Sequence, residues 1–309
     1  MFFVNEDYYA IWSKNNGKYH ETCGIEPLKL HYFWGRCIAW LVSGPIHYRR
    51  DLVMMNLARS FPEKKYKELK VIMKDFYRHF GDIVAETFWF AGAHDEKRLK
   101  KSHICEAENE EMLDRLFCER PGVIVMTSHL GNWEITGGIM SYLHEKVHFG
   151  EKSVTVVYKK LKNKFWDEVL GANRCAPIAR ENRETCYVES NKIMRFTIAH
   201  KNEKRLYIFP TDQCPYKHAA GHKVDNFMNQ PTLTMTGGAS LAHKFGFAVV
   251  YMAFRKKEDY GYTMTFREIC PDASQMTPEE IMNIFYRYLE EDVKAQPANY
   301  LWTHNRWKK

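Results

Sequence analysis

The chain of 309 residues lacks any long apolar run, since its most apolar early stretch, 37–45, is far shorter than the roughly 20 residues of a membrane-spanning helix. The N-terminus carries Glu6 and Asp7 where a secretory signal has a basic region, so no signal peptide is predicted. Its 8 cysteines form no C-x-x-C pair. Spacing of this kind favours reduced thiols in a cytoplasmic protein over a disulfide-stapled secreted one.

Several motifs of familiar enzymes are also missing, among them G-x-S-x-G, the P-loop and G-x-G-x-x-G. His218 and His222 are four residues apart but have no glutamate between them, so neither a metal site nor any other cofactor is predicted. The net charge of +7 suits an anionic partner, yet no nucleic-acid module is recognisable, so no nucleic acid is predicted to bind. A cysteine nucleophile at Cys214 stays open, although no neighbouring residue marks it as activated.

What the sequence does contain is a 45% hydrophobic composition that can supply a large core. It has no internal repeat and no linker rich in Gly, Ser or Pro, so residues 1–309 are predicted to form one domain, mostly helical over 1–120 and α/β over 121–309. Alternating strands and helices favour a mixed, mostly parallel sheet flanked by helices. The predicted strands are 122–127, 153–158, 205–210, 248–254 and 262–269, and the predicted helices are 162–173, 236–245 and 278–293.

The most informative stretch follows the first of these strands. His129 falls in the turn, and Glu134 falls five residues later in a helix predicted over 132–143. A carboxylate at that spacing can orient an imidazole that acts as a general base. Gly131 and Asn132 would allow a ligand close to the backbone, whose N–H groups could stabilise an oxyanion. The alternative is a satisfied polar pair with no catalytic role.

Two further polar residues follow strands in the same way. Lys159 comes after 153–158 and Asp212 after 205–210. Because ligands bind at the carboxyl ends of parallel strands, His129, Lys159 and Asp212 are expected to share one edge of the sheet. The segment 159–205 is also the most basic part of the chain, and it can be either a solvated surface or a cationic rim for phosphate groups.

The N-terminal part raises two more expectations. Aromatic residues alternate with His and Arg over 28–47, which is typical either of an amphipathic helix lying on a membrane or of a helix packed on the core. Residues 49–90 are helical in character. The acidic run 106–114 is predicted to be a solvated helix face.

Together these motifs resemble the bacterial lipid A late acyltransferases, the lauroyl and myristoyl transferase family that also includes phosphatidylinositol mannoside acyltransferases. The central block HLGNWE at 129–134 is similar to the family's H-x4-E block, and the other blocks follow in family order. These are RR at 49–50, NLARSFPE at 56–63, VYK at 157–159, TDQ at 211–213, FMNQPTLT at 227–234 and LWTHNRWK at 301–308.

The resemblance implies a glycerolphosphate-acyltransferase-like fold with an N-terminal helical segment. It implies transfer of a fatty acyl group from an acyl carrier protein or coenzyme A thioester to a hydroxyl of a lipid A precursor. His129 would be the base, Glu134 its orienting partner, and Lys159, Arg174 and Asp212 would bind substrate.

The implied location is the cytoplasmic face of the bacterial inner membrane, as a peripheral protein that contacts the membrane surface and a lipid acceptor. Lys159 stands where the family has Arg, and Cys214 stands where relatives commonly have Asp. Two alternatives therefore remain, namely the same chemistry on another membrane lipid and a lipid-binding relative without catalysis.

Overall fold

A computed structural model of the chain describes residues 26–92, 96–144, 146–215 and 221–307. Glu6, Asp7 and His218, for which the sequence raised expectations, lie outside the described residues.

The described chain is built on a seven-stranded sheet of order β1-β9-β8-β2-β5-β3-β4. Each neighbouring pair is parallel except β8 and β9, which are antiparallel. A separate hairpin joins β6 to β7. The prediction of a mixed, mostly parallel sheet is confirmed. The strands are β1 Cys105–Glu108, β2 Val123–Thr127, β3 Val154–Tyr158, β4 Tyr187–Glu189, β5 Leu206–Pro210, β6 Lys223–Phe227, β7 Gln230–Leu233, β8 Ala248–Lys256 and β9 Tyr262–Cys270.

Helices cover both faces of this sheet, and four of the described helices precede the first strand in the sequence, in agreement with the predicted N-terminal helical segment. The helices are α1 Glu26–Ser43, α2 Arg50–Ser60, α3 Tyr66–Phe90, α4 Glu96–Ser102, α5 Glu110–Glu119, α6 Ile139–Tyr142, α7 Lys164–Arg174, α8 Arg183–Cys186, α9 Ile193–Ala199, α10 Gly237–Phe245 and α11 Pro278–Ala295. None of these described helices has the length and apolar character needed to cross a bilayer. That residues 1–309 form one domain stays a prediction.

Strand β2 shows how the core is divided between the two faces. All five of its residues are buried, because it lies at the centre of the sheet with helices above and below. Ile124 and Met126 belong to the core cluster that includes residues of α2, α3, α10 and α11, whereas Val123 and Val125 belong to the cluster that includes residues of α5 and α6. Burying each such side chain stabilises the fold by about 1.5–3 kcal/mol.

Helices α1 and α3 cross through small residues. A Cβ on Gly35 would collide with the carbonyl oxygen of Gly81, and a Cβ on Gly81 would collide with that of Gly35. Ala39 and Ala85 flank this crossing and are buried. Small side chains therefore let the two backbones approach closely, which fixes α1 against the rest of the molecule.

Two local expectations are wrong. The acidic run 106–114 is not one solvated helix face, because Cys105–Glu108 pairs with β9 as the edge strand β1 and the Glu110 carboxylate is buried, accepting the His144 N–H at 2.6 Å. The helix predicted over 132–143 is a 3-10 helix, Trp133–Gly138, followed by the short α6. A side chain at Gly137 would collide with the Arg174 carbonyl, so the close packing of α7 shapes this turn.

Candidate active site

The site forms where β2 and β5 end side by side. The two strands are parallel, with Thr127 paired to Pro210, and the pairing continues one step beyond them as the Thr211 N–H donates to the Thr127 carbonyl at 2.9 Å. His129 and Asp212 each lie two residues past that last pair. The register of two neighbouring strands therefore brings these two side chains together at the carboxyl edge of the sheet.

His129 and Asp212 make two hydrogen bonds. The His129 Nδ1 lies 2.7 Å from Asp212 Oδ1, and the His129 backbone N–H donates to Asp212 Oδ2 at 3.1 Å. Both side chains are buried. Burial raises the pKa of Asp212, but its electrostatic interaction with His129 and the two hydrogen bonds from that residue outweigh burial and hold the pKa below its ordinary value. The ionised Asp212 therefore fixes the imidazole with its proton on Nδ1.

The second imidazole nitrogen faces an amide. The Gln213 side-chain Nε2 lies 2.8 Å from His129 Nε2, an arrangement in which the amide donates and the imidazole accepts. The pair thus leaves Nε2 with its lone pair directed towards Gln213, which lines a cavity with His129. This geometry suits a base that takes a proton at Nε2.

The carboxylate that orients His129 is Asp212, which corrects the expectation for Glu134. Both oxygens of Glu134 are held by Arg174, with Nε to Oε2 at 2.6 Å and Nη2 to Oε1 at 2.7 Å. The 3-10 turn carries Glu134 towards α7, where this bidentate partner lies. Trp133 joins the two pairs, because its ring packs 4.6 Å from that of His129 and its indole N–H donates to Glu134 at 3.0 Å.

Gly131 and Asn132 also differ from expectation, since neither lines the cavity. Gly131 has φ +69, and a Cβ there would collide with the Phe254 carbonyl. Its N–H donates to the Asn299 carbonyl at 2.9 Å, so this group is used within the fold and not for an oxyanion. Asn132 accepts the Glu134 N–H at 3.0 Å and donates to Glu86 at 2.7 Å. The two residues shape the loop that carries His129.

The cavity beside His129 has a volume of about 910 Å³. Its interior is lined by apolar residues of β3, β5, α9 and α10, and its rim carries cations. We call the basic residues Lys159, Lys160, Lys162 and Arg174 the cationic rim. The apolar lining includes Val156, Val157, Ile178, Ile193, Met194, Ile208, Phe209, Met235 and Leu241. An apolar cavity of this size with a charged entrance suits a lipid-like ligand with an anionic group.

Arg174 is the most constrained member of the cationic rim. Besides its two bonds to Glu134, it donates to the Tyr187 hydroxyl at 3.1 Å. Burial lowers the pKa of Arg174, but the Glu134 charge outweighs it, so the net shift is upward. Tyr187 stacks on Tyr158 with ring centroids 4.0 Å apart. Lys159 differs, because burial and the neighbouring Lys162 lower its pKa.

The C-terminal segment 300–304 packs against the loop that carries His129. The Leu301 N–H donates to the His129 carbonyl at 3.1 Å, and Leu130 pairs with Tyr300 in an isolated antiparallel bridge. Asn56 donates to the carbonyls of Trp302 and His304, at 2.9 and 3.1 Å. Asn56 and residues 300–304, which lie far apart in the sequence, are thus held together next to the loop that carries His129.

Sequence reasoning missed two residues of the site. Gln213 follows Asp212 directly, so its place at the same strand end was a usable signal. Tyr187 had no such signal, because only the folding of β4 beside β3 brings it to Arg174.

Among the described residues, one group of side chains lies close enough together to hold a metal ion: Asp114, Cys118 and His148. It is not part of the cavity lining, and both Asp114 oxygens already accept hydrogen bonds from His148, at 2.6 and 2.7 Å. His222, which was not predicted to bind a metal, has its Nε2 atom 3.2 Å from the side-chain oxygen of Asn283.

The site thus combines a histidine paired with a buried aspartate, the carboxyl edge of a mostly parallel sheet and an apolar cavity with a cationic rim, an arrangement that is able to transfer a group to a lipid-like ligand. Residues 21–309 match the family model for bacterial lipid A biosynthesis acyltransferase. The chain belongs to this family and is an acyltransferase, as the sequence motifs predicted.

Two curated relatives cover most of the chain. The lipid A biosynthesis palmitoleoyltransferase of Escherichia coli (strain K12) is 21% identical over 288 residues, which are 91% of this chain and 86% of that protein. The lipid A biosynthesis acyltransferase of Shigella flexneri has the same identity and coverage.

Proposed function

We propose that this enzyme transfers a fatty acyl group from an acyl carrier protein or coenzyme A thioester to a hydroxyl of a lipid A precursor or related glycolipid. The observation that carries the proposal is the His129–Asp212 pair, whose imidazole Nε2 lies on the wall of the apolar cavity. Family membership and the names of the two relatives support the lipid acceptor.

In the proposed reaction the acceptor hydroxyl attacks the thioester carbonyl while His129 Nε2 takes the hydroxyl proton. The tetrahedral intermediate then collapses, the C–S bond breaks, and the imidazolium returns the proton to the leaving thiolate. Asp212 balances the charge of the imidazolium and keeps the Nδ1 proton in place. Because the hydroxyl attacks directly, no acyl-enzyme is formed.

Gln213 has a defined part in this scheme. Its Nε2 lies 2.8 Å from His129 Nε2, near the place that the acceptor hydroxyl must reach. When the acceptor displaces it, the same amide N–H can donate to the oxyanion of the intermediate. This replaces the expected role of Gly131, whose N–H is bonded to Asn299.

Glu134 acts in the proposal through Arg174. The bidentate pair holds the guanidinium at the cavity wall, and Tyr187 holds it from the other side. Arg174 and the lysines of the cationic rim would face a phosphate of the lipid acceptor or of the phosphopantetheine arm. The Lys159 ammonium acts as a point charge, whereas an arginine guanidinium at this position could donate two parallel hydrogen bonds to a phosphate.

Helix α1 supports peripheral attachment to the cytoplasmic face of the bacterial inner membrane. Its Gly35 and Ala39 pack on α3, while Phe33, Trp34 and Trp40 are 59%, 59% and 68% exposed. Aromatic side chains in such a row suit the headgroup region of a bilayer.

The test is thiol release from acyl carrier protein and coenzyme A donors, with and without a lipid A precursor. The wild type should release thiol only when acceptor is present, and His129→Ala should lower that rate by on the order of 10²- to 10⁴-fold at temperatures where it is folded, with a lower melting temperature because Asp212 loses its buried partner. His103→Ala is the control, since His103 is exposed and is not among the cavity-lining residues.

Unchanged turnover in His129→Ala would refute the mechanism. Release with other membrane lipids but not with the lipid A precursor would replace the acceptor and keep the chemistry. Stoichiometric lipid binding without any thioester consumption would establish a binding protein instead.

A further inference from the structure

Helix α3 presents a buried polar face to the loop that carries His129. His79, Asp82 and Glu86 recur at helical spacing and are 3%, 2% and 0% exposed. Three ionisable side chains on the inner face of one helix are unusual, because apolar residues would fill that space without the cost of burying a charge.

Two of these residues bind the catalytic loop directly. Glu86 Oε2 accepts a hydrogen bond from the Asn132 side chain at 2.7 Å, and His79 Nε2 lies 3.3 Å from the Gly131 carbonyl. Asn132 in turn caps the following turn by accepting the Glu134 N–H at 3.0 Å. A connected path therefore runs from Glu86 through Asn132 to Glu134 and on to Arg174.

The same helix face binds α1. The Tyr32 hydroxyl donates to Glu86 Oε1 at 2.6 Å, and Arg36 pairs with Asp82 at 3.2 Å. Tyr262 on β9 donates to Glu86 Oε2 at 2.8 Å. The Glu86 carboxylate thus accepts one hydrogen bond each from α1, the catalytic loop and the sheet. Burial raises the pKa of this carboxylate, and Lys256 and the three donors oppose that rise.

We propose that Glu86 is a positioning residue for acyl transfer, which fixes the His129–Glu134 loop through Asn132 and makes α1 part of the site through Tyr32. This inference rests on the proposed function. The helix whose outer face carries the exposed aromatic residues is thereby joined by hydrogen bonds to the loop that carries the base.

The first experiment reverses the polarity of one hydrogen bond. Glu86→Leu removes the acceptor for Asn132, and Asn132→Asp places a carboxylate against Glu86, so each of these two variants loses the bond. In Glu86→Gln/Asn132→Asp the glutamine can donate to the aspartate, which still accepts the Glu134 N–H. Glu86→Leu and Asn132→Asp should each lower kcat by on the order of 10- to 100-fold, and the double variant should recover at least tenfold.

The exposed Glu111→Gln is the matched control and should leave kcat unchanged. If Glu86 only stabilised the fold, the melting temperature would fall without a fall in kcat at temperatures where the protein is folded. An unchanged kcat in folded Glu86→Leu, or a double variant no better than Asn132→Asp, would overturn the proposal.

A second readout needs no turnover and separates this inference from the proposed function. In protein with ¹⁵N-labelled histidine, Glu86→Leu should shift the ring resonances of His129, because the loop that carries it moves. Tyr32→Phe should give a smaller shift in the same direction, and the exposed Tyr66→Phe should give none. An inactive wild type would refute the proposed function alone, whereas unshifted His129 resonances in Glu86→Leu would refute the positioning role.

Discussion

The charged groups of the cavity differ in their exposure to solvent between the His129–Asp212 pair, which we call the floor, and the cationic rim. At the floor, the His129 and Asp212 side chains are 10% and 3% exposed and joined at 2.7 Å. At the cationic rim, Lys159, Lys160 and Lys162 are exposed, whereas Arg174 is half-buried against Glu134. Interactions between buried charges are screened little by salt, whereas exposed charges interact through water and are screened at a distance of about 8 Å at physiological ionic strength.

The contrast teaches that the two regions serve different steps. The floor has the fixed geometry that proton transfer requires, and the rim has the exposed charge that attracts an anionic substrate. Substitutions of His129 or Asp212 should therefore lower kcat to the same extent at every salt concentration. Substitutions of the exposed rim lysines should raise KM, and this increase should disappear as salt is added.

The largest effect after loss of the imidazole itself is expected for Asp212→Asn. An asparagine can donate to Nδ1 and so stabilise the wrong tautomer, with the proton on Nε2. We expect kcat to fall by on the order of 10²- to 10⁴-fold with KM little changed at any salt concentration. Steady-state kinetics at two ionic strengths measure this. A fall in kcat that disappears in high salt would break the distinction between floor and rim.

Arg174→Lys should have an intermediate effect. A lysine cannot reproduce the fork that holds both oxygens of Glu134, and one charged hydrogen bond is worth about 1.5–3 kcal/mol. We therefore expect KM for the acceptor to rise by on the order of 10- to 100-fold. Glu134→Gln should show the same pattern more weakly. If Glu134→Gln instead matched Asp212→Asn in kcat, the assignment of the orienting carboxylate to Asp212 would be wrong.

The exposed lysines should give a smaller effect. Lys160→Ala/Lys162→Ala is expected to raise KM only a few-fold at low salt, because exposed charges contribute about 0–1 kcal/mol each. The increase should vanish near 0.5 M salt. Lys97→Ala/Lys101→Ala is the matched control, since those lysines of α4 are not among the cavity-lining residues. An effect of the rim variant that is independent of salt would place these lysines in direct, specific contact with substrate.

The smallest effect concerns stability against pH. Because the pKa of Asp212 is lower in the folded state, its contribution to the free energy of unfolding is present above the ordinary carboxyl pKa and is lost as pH falls towards the folded value. Asp212→Asn should lack this loss, so its melting temperature should fall less steeply between about pH 5 and pH 3. Parallel slopes for the two proteins would show that Asp212 is not stabilised as an anion.

The sequence predicted five of the nine described strands, β2, β3, β5, β8 and β9, because their apolar runs are local signals. It also predicted that His129 and Asp212 would share a sheet edge, since parallel strands end together. It did not predict which carboxylate binds the imidazole. That choice depends on Arg174, which is 40 residues from Glu134 in sequence and captures it only after α7 has packed on the 3-10 turn.

Gly131 shows the same limit. Its motif fits a ligand-binding backbone equally well, and only the neighbouring β8 shows that the space is taken by the carbonyl of Phe254. The sequence did not predict strand β1 for a similar reason. Its four residues form a strand because they pair with β9, and their own composition does not indicate one. Contacts distant in sequence decided each of these cases.

A double-mutant cycle on His129 and Asp212 tests the central claim most directly. If Asp212 acts only through the imidazole, Asp212→Asn should lower kcat strongly in the wild type and have almost no further effect in His129→Ala. Glu134→Gln, measured in the same two backgrounds, should raise KM to a similar extent in both. Independent, multiplying losses from His129→Ala and Asp212→Asn would contradict the account.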